Sequence, residues 1–131
     1  MLSDFDVQPM LPVKDLEVAK IFYERTLGLE KVDELPSVVV SYRSGKTRLC
    51  VDRSEFAGTN KGTAALCEVK DVETTVKSLK SNGEKSEHYD DMPGLSREGK
   101  IHFAGDLRVA WLKDPDRNIL SVQNRVPRPP H

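Results

Sequence analysis

The feature that most constrains the fold is a repeat within the chain. The segment Val13–Glu17, which reads Val-Lys-Asp-Leu-Glu, recurs as Val69–Glu73, which reads Val-Lys-Asp-Val-Glu. Each copy follows a short apolar run and leads into a helical pattern. Each pattern stops at a glycine, Gly28 in the first copy and Gly83 in the second, as helices commonly do. The repeat indicates an internal duplication, so both halves should build the same elements in the same order.

One amphipathic helix is predicted in each half, at 16–27 and at 72–82. Asp15 and Asp71 stand at the N-cap positions, where a carboxylate accepts backbone hydrogen bonds. Their negative charge also suits the positive end of the helix dipole, which explains both aspartates without catalysis. The apolar residues that we expect to be buried are Val18, Ile21, Phe22 and Leu27 in the first helix, and Val72, Val76 and Leu79 in the second.

Strand patterns surround both helices and give the order β-α-β-β-β twice. The predicted fold is therefore α+β, with two tandem βαβββ modules that form an eight-stranded curved sheet with the helices outside. Such a sheet encloses a cleft, where a small ligand should bind. The strands are predicted at 7–13, 30–34, 37–43, 47–53, 63–69, 84–89, 107–113 and 119–124.

Length and composition indicate one intracellular domain. The 131 residues fit a single domain, with module one at about 7–53, module two at about 63–124 and a mobile tail at 125–131. Twenty Lys and Arg residues are interleaved with 21 Asp and Glu residues, so no basic stripe indicates nucleic-acid binding. No targeting or membrane-spanning segment is evident, and we expect a cytoplasmic protein. Cys50 and Cys67 lie in apolar runs and are expected to be reduced and buried.

Several motifs together resemble one known superfamily. The run Leu11–Ala19, followed by Phe22-Tyr23-Glu24 and Leu27–Glu30, is similar to the opening module of the vicinal oxygen chelate superfamily. This superfamily contains glyoxalase I, bleomycin-resistance proteins, fosfomycin-resistance enzymes and extradiol dioxygenases. The run Asp114–Leu120 resembles the signature before its last strand, although Arg117 stands where glycine is usual. The resemblance implies the cup-shaped fold much more strongly than any particular activity.

The resemblance also implies four positions for the ligands of a divalent metal. When these positions are located by their distance in sequence from the matched motifs, they correspond to Gln8, Cys50, Ala64 and Ser121. Alanine has no donor atom and serine is a poor ligand, so this set is too weak for a metal site. We therefore expect no metal cofactor, and a divalent metal remains the alternative.

Strand alternation predicts which side chains line the cleft. On the first strand Gln8 and Met10 point away from the helix side. On the other strands, too, the side chains that point away from the helices are the ones expected to line the cleft. Trp111, the only tryptophan, is equally suited to stacking on a planar ligand and to filling the core. The predicted ligand-binding residues are Gln8, Met10, Cys50, Asp52, Ala64, Trp111, Ser121 and Gln123.

The three histidines do not form a recognisable catalytic or metal site. His88 lies in a predicted strand, His102 in a loop-like segment and His131 at the end of the chain. None has a partner at ligand spacing on a predicted helix. A metal-free enzyme could still use Tyr89, His102 or Asp52 as an acid or base.

Three functional hypotheses remain open from the sequence. The leading one is a metal-free small-molecule-binding protein of the bleomycin-resistance type, which needs tight binding and no nucleophile. The alternative is a glyoxalase-type lyase or isomerase that acts on a small oxygenated substrate with a divalent metal. A third is a structural or regulatory protein whose cup is filled by its own side chains. In each case we expect a homodimer, because exposed sheet edges favour pairing of two chains.

Overall fold

The first half of the chain forms a four-stranded mixed sheet in the computed structural model, which describes residues 1–84 and 96–124. Its strands are β1 (Met10–Val13), β2 (Glu30–Leu35), β3 (Val39–Ser44) and β4 (Thr47–Arg53). They lie in the order β1-β4-β3-β2, with β1 parallel to β4 and the other pairs antiparallel. A parallel pair needs a long crossover, and the elements between β1 and β4 provide it.

The second half forms a separate five-stranded sheet. Its strands are β5 (Thr63–Glu68), β6 (Ser96–Glu98), β7 (Ile101–Ala104), β8 (Leu107–Lys113) and β9 (Ile119–Gln123), in the order β5-β9-β8-β7-β6. The predicted α+β class with two βαβββ-like modules is confirmed. The strands, however, form two hydrogen-bonded sheets, and β6 and β7 were not among the predicted strands.

The missed strands had only weak sequence signals. Strand β6 is short and polar, and its three residues are exposed. Strand β7 lies between Gly99 and Gly105, both at positive φ, and this glycine spacing was its one usable signal. Of the strand predicted at 84–89, Glu84 lies outside any strand, and the rest lies outside the described residues.

Each module carries one helix with the predicted aspartate cap. Helix α1 (Leu16–Ile21) continues into a π-helical turn (Phe22–Thr26), and helix α2 spans Val72–Ser81. The Asp15 carboxylate accepts hydrogen bonds from the Glu17 and Val18 amides at 2.9 and 3.4 Å. The Asp71 carboxylate accepts one from the Thr74 amide at 3.1 Å. Helix α1 packs on β4, and α2 packs on β8 and β9.

The buried face of the first helical segment differs from the prediction. Val18 and Ile21, expected in the core, are 46% and 57% exposed. Leu16, Ala19 and Tyr23 are buried instead. The spacing of apolar residues is compatible with either of two neighbouring faces of the helix being buried. The face that is buried includes a tyrosine, whose hydroxyl forms a hydrogen bond inside the protein. In α2 the prediction agrees better, since Val72 and Leu79 are buried.

The described structure divides into two compact units. The first comprises Met1–Ala64 together with Asp114–Asn118, and the second comprises the described residues of 65–113 and of 119–124. The turn between β8 and β9 thus belongs to the first unit, although its flanking strands belong to the second. The tail predicted at 125–131 lies outside the described residues. No helix within residues 1–84 and 96–124 is long and apolar enough to cross a membrane.

The two cysteines have different environments. Cys50 is buried, as expected, whereas Cys67 is exposed. The prediction for Cys67 was wrong because β5 is an edge strand of its sheet. An apolar run at an edge lacks a neighbour on one side, so its residues are less covered than the same run in a central strand.

Candidate functional site

The first sheet brings four predicted ligand-binding residues to one face. On β1, Leu11 and Val13 are almost fully buried, while Gln8 and Met10 lie on the opposite side and are exposed. Gln8 precedes the strand, which begins at Met10 and not at Val7 as predicted. Met10 pairs with Cys50, so the two side chains share this face. Asp52, two residues further along β4, lies on the same face and is half-buried.

Cys50 is the centre of a polar row on this face. Its thiol lies 3.9 Å from the Gln8 side-chain oxygen and 3.5 Å from the Ser41 hydroxyl. Ser41 was missed in the sequence, although it pairs directly with Cys50 across the β3–β4 hairpin. The Ser44-Gly45-Lys46 turn fixes this register, because hairpin register follows from turn geometry. The first sheet therefore presents Gln8, Ser41 and Cys50 side by side.

The second sheet brings Trp111, Ser121 and Gln123 to one of its faces. Trp111 pairs with Ser121 across β8 and β9, and Val109 pairs with Gln123. The Ser121 hydroxyl donates to the Gln123 side-chain oxygen at 3.2 Å. Trp111 is only 9% exposed and Ser121 only 3%. These side chains are core-like in this structure, in contrast to the exposed Gln8 and Met10.

His102 lies next to this group and not in a loop. It is part of β7, pairs with Val109 and is 1% exposed. Its ring meets the Trp111 ring edge-on, with the centroids 4.9 Å apart. The main role of a buried imidazole in van der Waals contact with a tryptophan is to pack the core.

The remaining predicted residues lie elsewhere. Ala64 is half-exposed on the edge strand β5. His88, Tyr89 and His131 lie outside the described residues.

The four positions implied for metal ligands do not make a suitable donor set. Gln8 and Cys50 offer one carboxamide oxygen and one thiol on the first sheet. Ser121 offers a hydroxyl that is already hydrogen-bonded to Gln123, and Ala64 offers nothing. A divalent cation needs at least three good donors, with negative charge to offset its desolvation. Within residues 1–84 and 96–124, no three His, Cys, Asp or Glu side chains form a group that could hold one.

The Asp114 turn, which resembles a superfamily signature, has a structural role. The Asp114 carboxylate is buried and accepts hydrogen bonds from the Tyr23 hydroxyl and the Asn118 side chain, both at 2.7 Å. It also accepts from the Asp116 and Asn118 amides at 2.9 and 2.8 Å. The Asn118 side chain donates in addition to the Pro12 carbonyl at 2.8 Å. These contacts connect the turn to β1 and to the π-helical turn that follows α1, so its polar residues are explained without catalysis.

Taken together, the duplicated modules, the helix on each sheet and the fastened turn define a protein of the vicinal oxygen chelate class. The sequence matches the Glyoxalase/Bleomycin resistance protein/Dioxygenase superfamily over residues 7–122, and the chain belongs to this superfamily. A comparison with curated proteins gives no significant match.

Solved structures of different activities share this fold. A lactoylglutathione lyase from Agrobacterium tumefaciens is 20% identical, with 91% of this chain and 92% of that chain covered and a TM-score of 0.66. A bleomycin resistance determinant encoded on the transposon Tn5 is 21% identical, with coverages of 91% and 96% and a TM-score of 0.64. The fosfomycin resistance protein FosX from Mesorhizobium loti is 13% identical, with coverages of 96% and 95% and a TM-score of 0.65. At these identities the likeness establishes the fold and leaves the activity open.

Proposed function

We propose that this chain is a small-molecule-binding protein that works without a metal, by sequestering its ligand. The observation that carries the proposal is the donor set at the four implied metal positions. It consists of a carboxamide, a buried thiol, a methyl group and a buried hydroxyl. Sequestration requires only a complementary surface, whereas lyase chemistry of the glyoxalase type requires a Lewis acid. The bleomycin resistance determinant is the relevant precedent among the similar structures.

The first sheet offers the more accessible part of the proposed site. Gln8 and Met10 are exposed and Asp52 is half-buried, so an amide, a thioether and a carboxylate are available to a ligand. Methionine adapts its shape to different partners, and a few polar groups on an apolar surface are typical of ligand sites. The buried Trp111 and Ser121 on the second sheet support a different outcome, a cup filled by its own side chains.

The metal-free proposal is tested by elemental analysis of the purified protein. We expect far less than one Ni, Zn, Fe or Mn per chain and no lactoylglutathione lyase turnover. The double variant Ala64→His, Ser121→Glu should acquire measurable metal affinity if the positions are correct. Ala65→His with the same Ser121→Glu is the matched control, since Ala65 points to the other face of β5. About one metal per chain in the unmodified protein would overturn the proposal and favour the lyase alternative.

Binding is tested separately with bleomycin as the first probe, followed by a panel of planar oxygenated compounds. Binding is expected to raise the melting temperature and to be weakened about tenfold by Gln8→Ala, the loss of one polar contact. Val7→Ala is the matched control, because Val7 is 89% exposed and lies next to Gln8. If none of the probes binds and the fluorescence of Trp111 never responds, the filled-cup hypothesis replaces the proposal.

A further inference from the structure

Two adjoining grooves in the first unit lie away from the predicted ligand-binding residues. The larger has a volume of about 600 Å³ and the smaller about 320 Å³. Lys14, in the segment after β1, lines both of them, and we call them together the Lys14 groove. Volumes of this size are typical of small-molecule sites. The other lining residues are Ser37, Val38, Arg53, Ser54 and Glu55 in the larger groove, and Ala57, Gly58, Pro115, Asp116 and Arg117 in the smaller.

The Lys14 groove contains three cationic side chains that form no ion pair with any residue that the structure describes. Lys14, Arg53 and Arg117 are all exposed, and none lies within salt-bridge distance of a carboxylate among residues 1–84 and 96–124. Glu55 and Asp116 also line the groove, which leaves an excess of one positive charge, three against two. Unpaired cations that line a concave surface attract anions by charge focusing.

Arg117 stands in a backbone conformation that favours glycine. Its φ is 68°, in the left-handed region, where a side chain causes strain. The amide of Arg117 donates to the Asp114 carbonyl at 3.0 Å, and the fastened Asp114 turn imposes this conformation. Ser37, in the larger groove, has a φ of 65°, and these two are the non-glycine residues at positive φ in the described part of the chain. Strained residues of this kind cluster at functional sites.

The strain at Arg117 is a stability cost that glycine would avoid at the same turn. The arginine contributes what glycine lacks, namely a planar cation with several donors at the wall of the groove. An arginine suits phosphate and carboxylate groups because its donors match two oxygens at once. Lys14, shared by both grooves, adds a compact second charge.

We propose that the Lys14 groove binds the oxyanion group of a small ligand, with Lys14, Arg53 and Arg117 as its cationic contacts. Phosphate and carboxylate groups share this chemistry, and the groove is distinct from the sheet face of the proposed sequestration site. The inference does not depend on that function. It requires only the cavity, the unpaired cations and the arginine held at positive φ.

The proposal is tested with inorganic pyrophosphate and citrate as probes, by calorimetry and thermal shift at constant ionic strength. We expect at least one of them to bind the wild-type protein, and preference between them distinguishes phosphate from carboxylate chemistry. Arg117→Gly should weaken that binding at least about tenfold. The same change should leave the melting temperature unchanged or raise it by up to about 4 °C, because it relieves the strain.

Two further variants control for charge and for folding. Lys46→Ala removes an exposed charge from the β3–β4 turn, outside the groove, and should leave binding within about twofold of wild type. Arg117→Lys keeps the charge and should retain more affinity than Arg117→Gly. The proposal is overturned if neither probe binds, or if Lys46→Ala weakens binding as much as Arg117→Gly does.

Discussion

At the scale of single residues, the contact between Tyr23 and Asp114 is the most consequential. Tyr23 is fully buried and Asp114 is 5% exposed, so both polar groups depend on partners inside the protein. The carboxylate receives four hydrogen bonds, from Tyr23, Asp116 and two groups of Asn118. A buried carboxylate is tolerated only when its oxygens are satisfied in this way.

Removing the Tyr23 hydroxyl should therefore destabilise the protein. Tyr23→Phe preserves the ring and leaves the Asp114 carboxylate one donor short, which should lower the free energy of unfolding by about 1–3 kcal/mol. Urea denaturation measures the effect. Tyr42→Phe is the matched control, because the Tyr42 hydroxyl donates to the half-exposed Glu24 at 3.0 Å. Equal losses for both variants would contradict the special role of Asp114.

The same tyrosines predict how stability depends on pH. Burial, reinforced by the Asp114 carboxylate, raises the pKa of Tyr23 far above its usual value of about 10. Burial and the hydrogen bond to Glu24 also raise the pKa of Tyr42. Below about pH 10 these hydroxyls are protonated in the folded and the unfolded chain, so their contribution to stability is fully present. Above that pH only the unfolded chain releases the protons.

The free energy of unfolding should consequently fall as pH rises above about 10, by about 1.4 kcal/mol per pH unit for Tyr23 alone. Urea denaturation between about pH 9 and 11.5 tests this. The Tyr23→Phe variant should lose stability less steeply than wild type over the same range. Before unfolding, wild type should show no more tyrosinate absorbance than Tyr23→Phe, and an excess in wild type would contradict the assignment.

At the scale of elements, charged side chains join the first helix to its sheet. The Lys20 ammonium lies 3.1 Å from the Glu17 carboxylate and 2.7 Å from that of Glu34 on β2. The hydrogen bond to Glu34 raises the pKa of Lys20, and the contact with Lys20 lowers the pKa of Glu34. Helix α1 is short, and short helices depend on such tertiary contacts and on their caps.

The cap of α1 provides a direct test of this dependence. Asp15→Ala removes the acceptor for the Glu17 and Val18 amides and should lower the free energy of unfolding by about 1 kcal/mol. Asp15→Ser keeps an acceptor and should retain most of the stability. Denaturant unfolding of the two variants measures the difference. An alanine variant as stable as the serine variant would show that packing alone holds the helix.

At the scale of the whole molecule, the chain crosses between its two units twice near its end. Asp114–Asn118 belongs to the first unit, while the strands on either side of it belong to the second. The hydrogen bond from Tyr23 to Asp114 spans 91 positions in sequence. Contacts at this separation raise contact order, which slows folding.

Homodimerisation is the prediction that belongs to this scale. Edge strands β1 and β5 end the hydrogen-bonded order of their sheets, and pairing of two chains would cover such edges. We expect sedimentation to give twice the mass of one 14.7 kDa chain at concentrations of about tens of micromolar. A monomer at that concentration would contradict the prediction.

Local signals in the sequence were sufficient for both helices and for most strands of the fold, although not for β6 and β7. The aspartate caps, the hairpin at Gly45 and the alternation on β1 and β4 each involve residues close together in the chain or in register across one turn. The face shared by Gln8, Met10 and Cys50 could therefore be predicted. The duplicated motif gave the order of elements, because both copies obey the same capping and periodicity rules.

Only the tertiary structure decided which of those residues are accessible and which positions are strained. Burial of Trp111, Ser121 and His102 depends on neighbours distant in sequence. No local sequence pattern distinguishes a side chain that lines a cleft from one that is buried in the core. The positive φ of Arg117 follows from a turn held by Asp114 and Tyr23. The physical reason is the same in both cases. Periodicity and capping act over a few residues, whereas exposure and imposed backbone conformation are set by contacts that form only when the whole chain has folded.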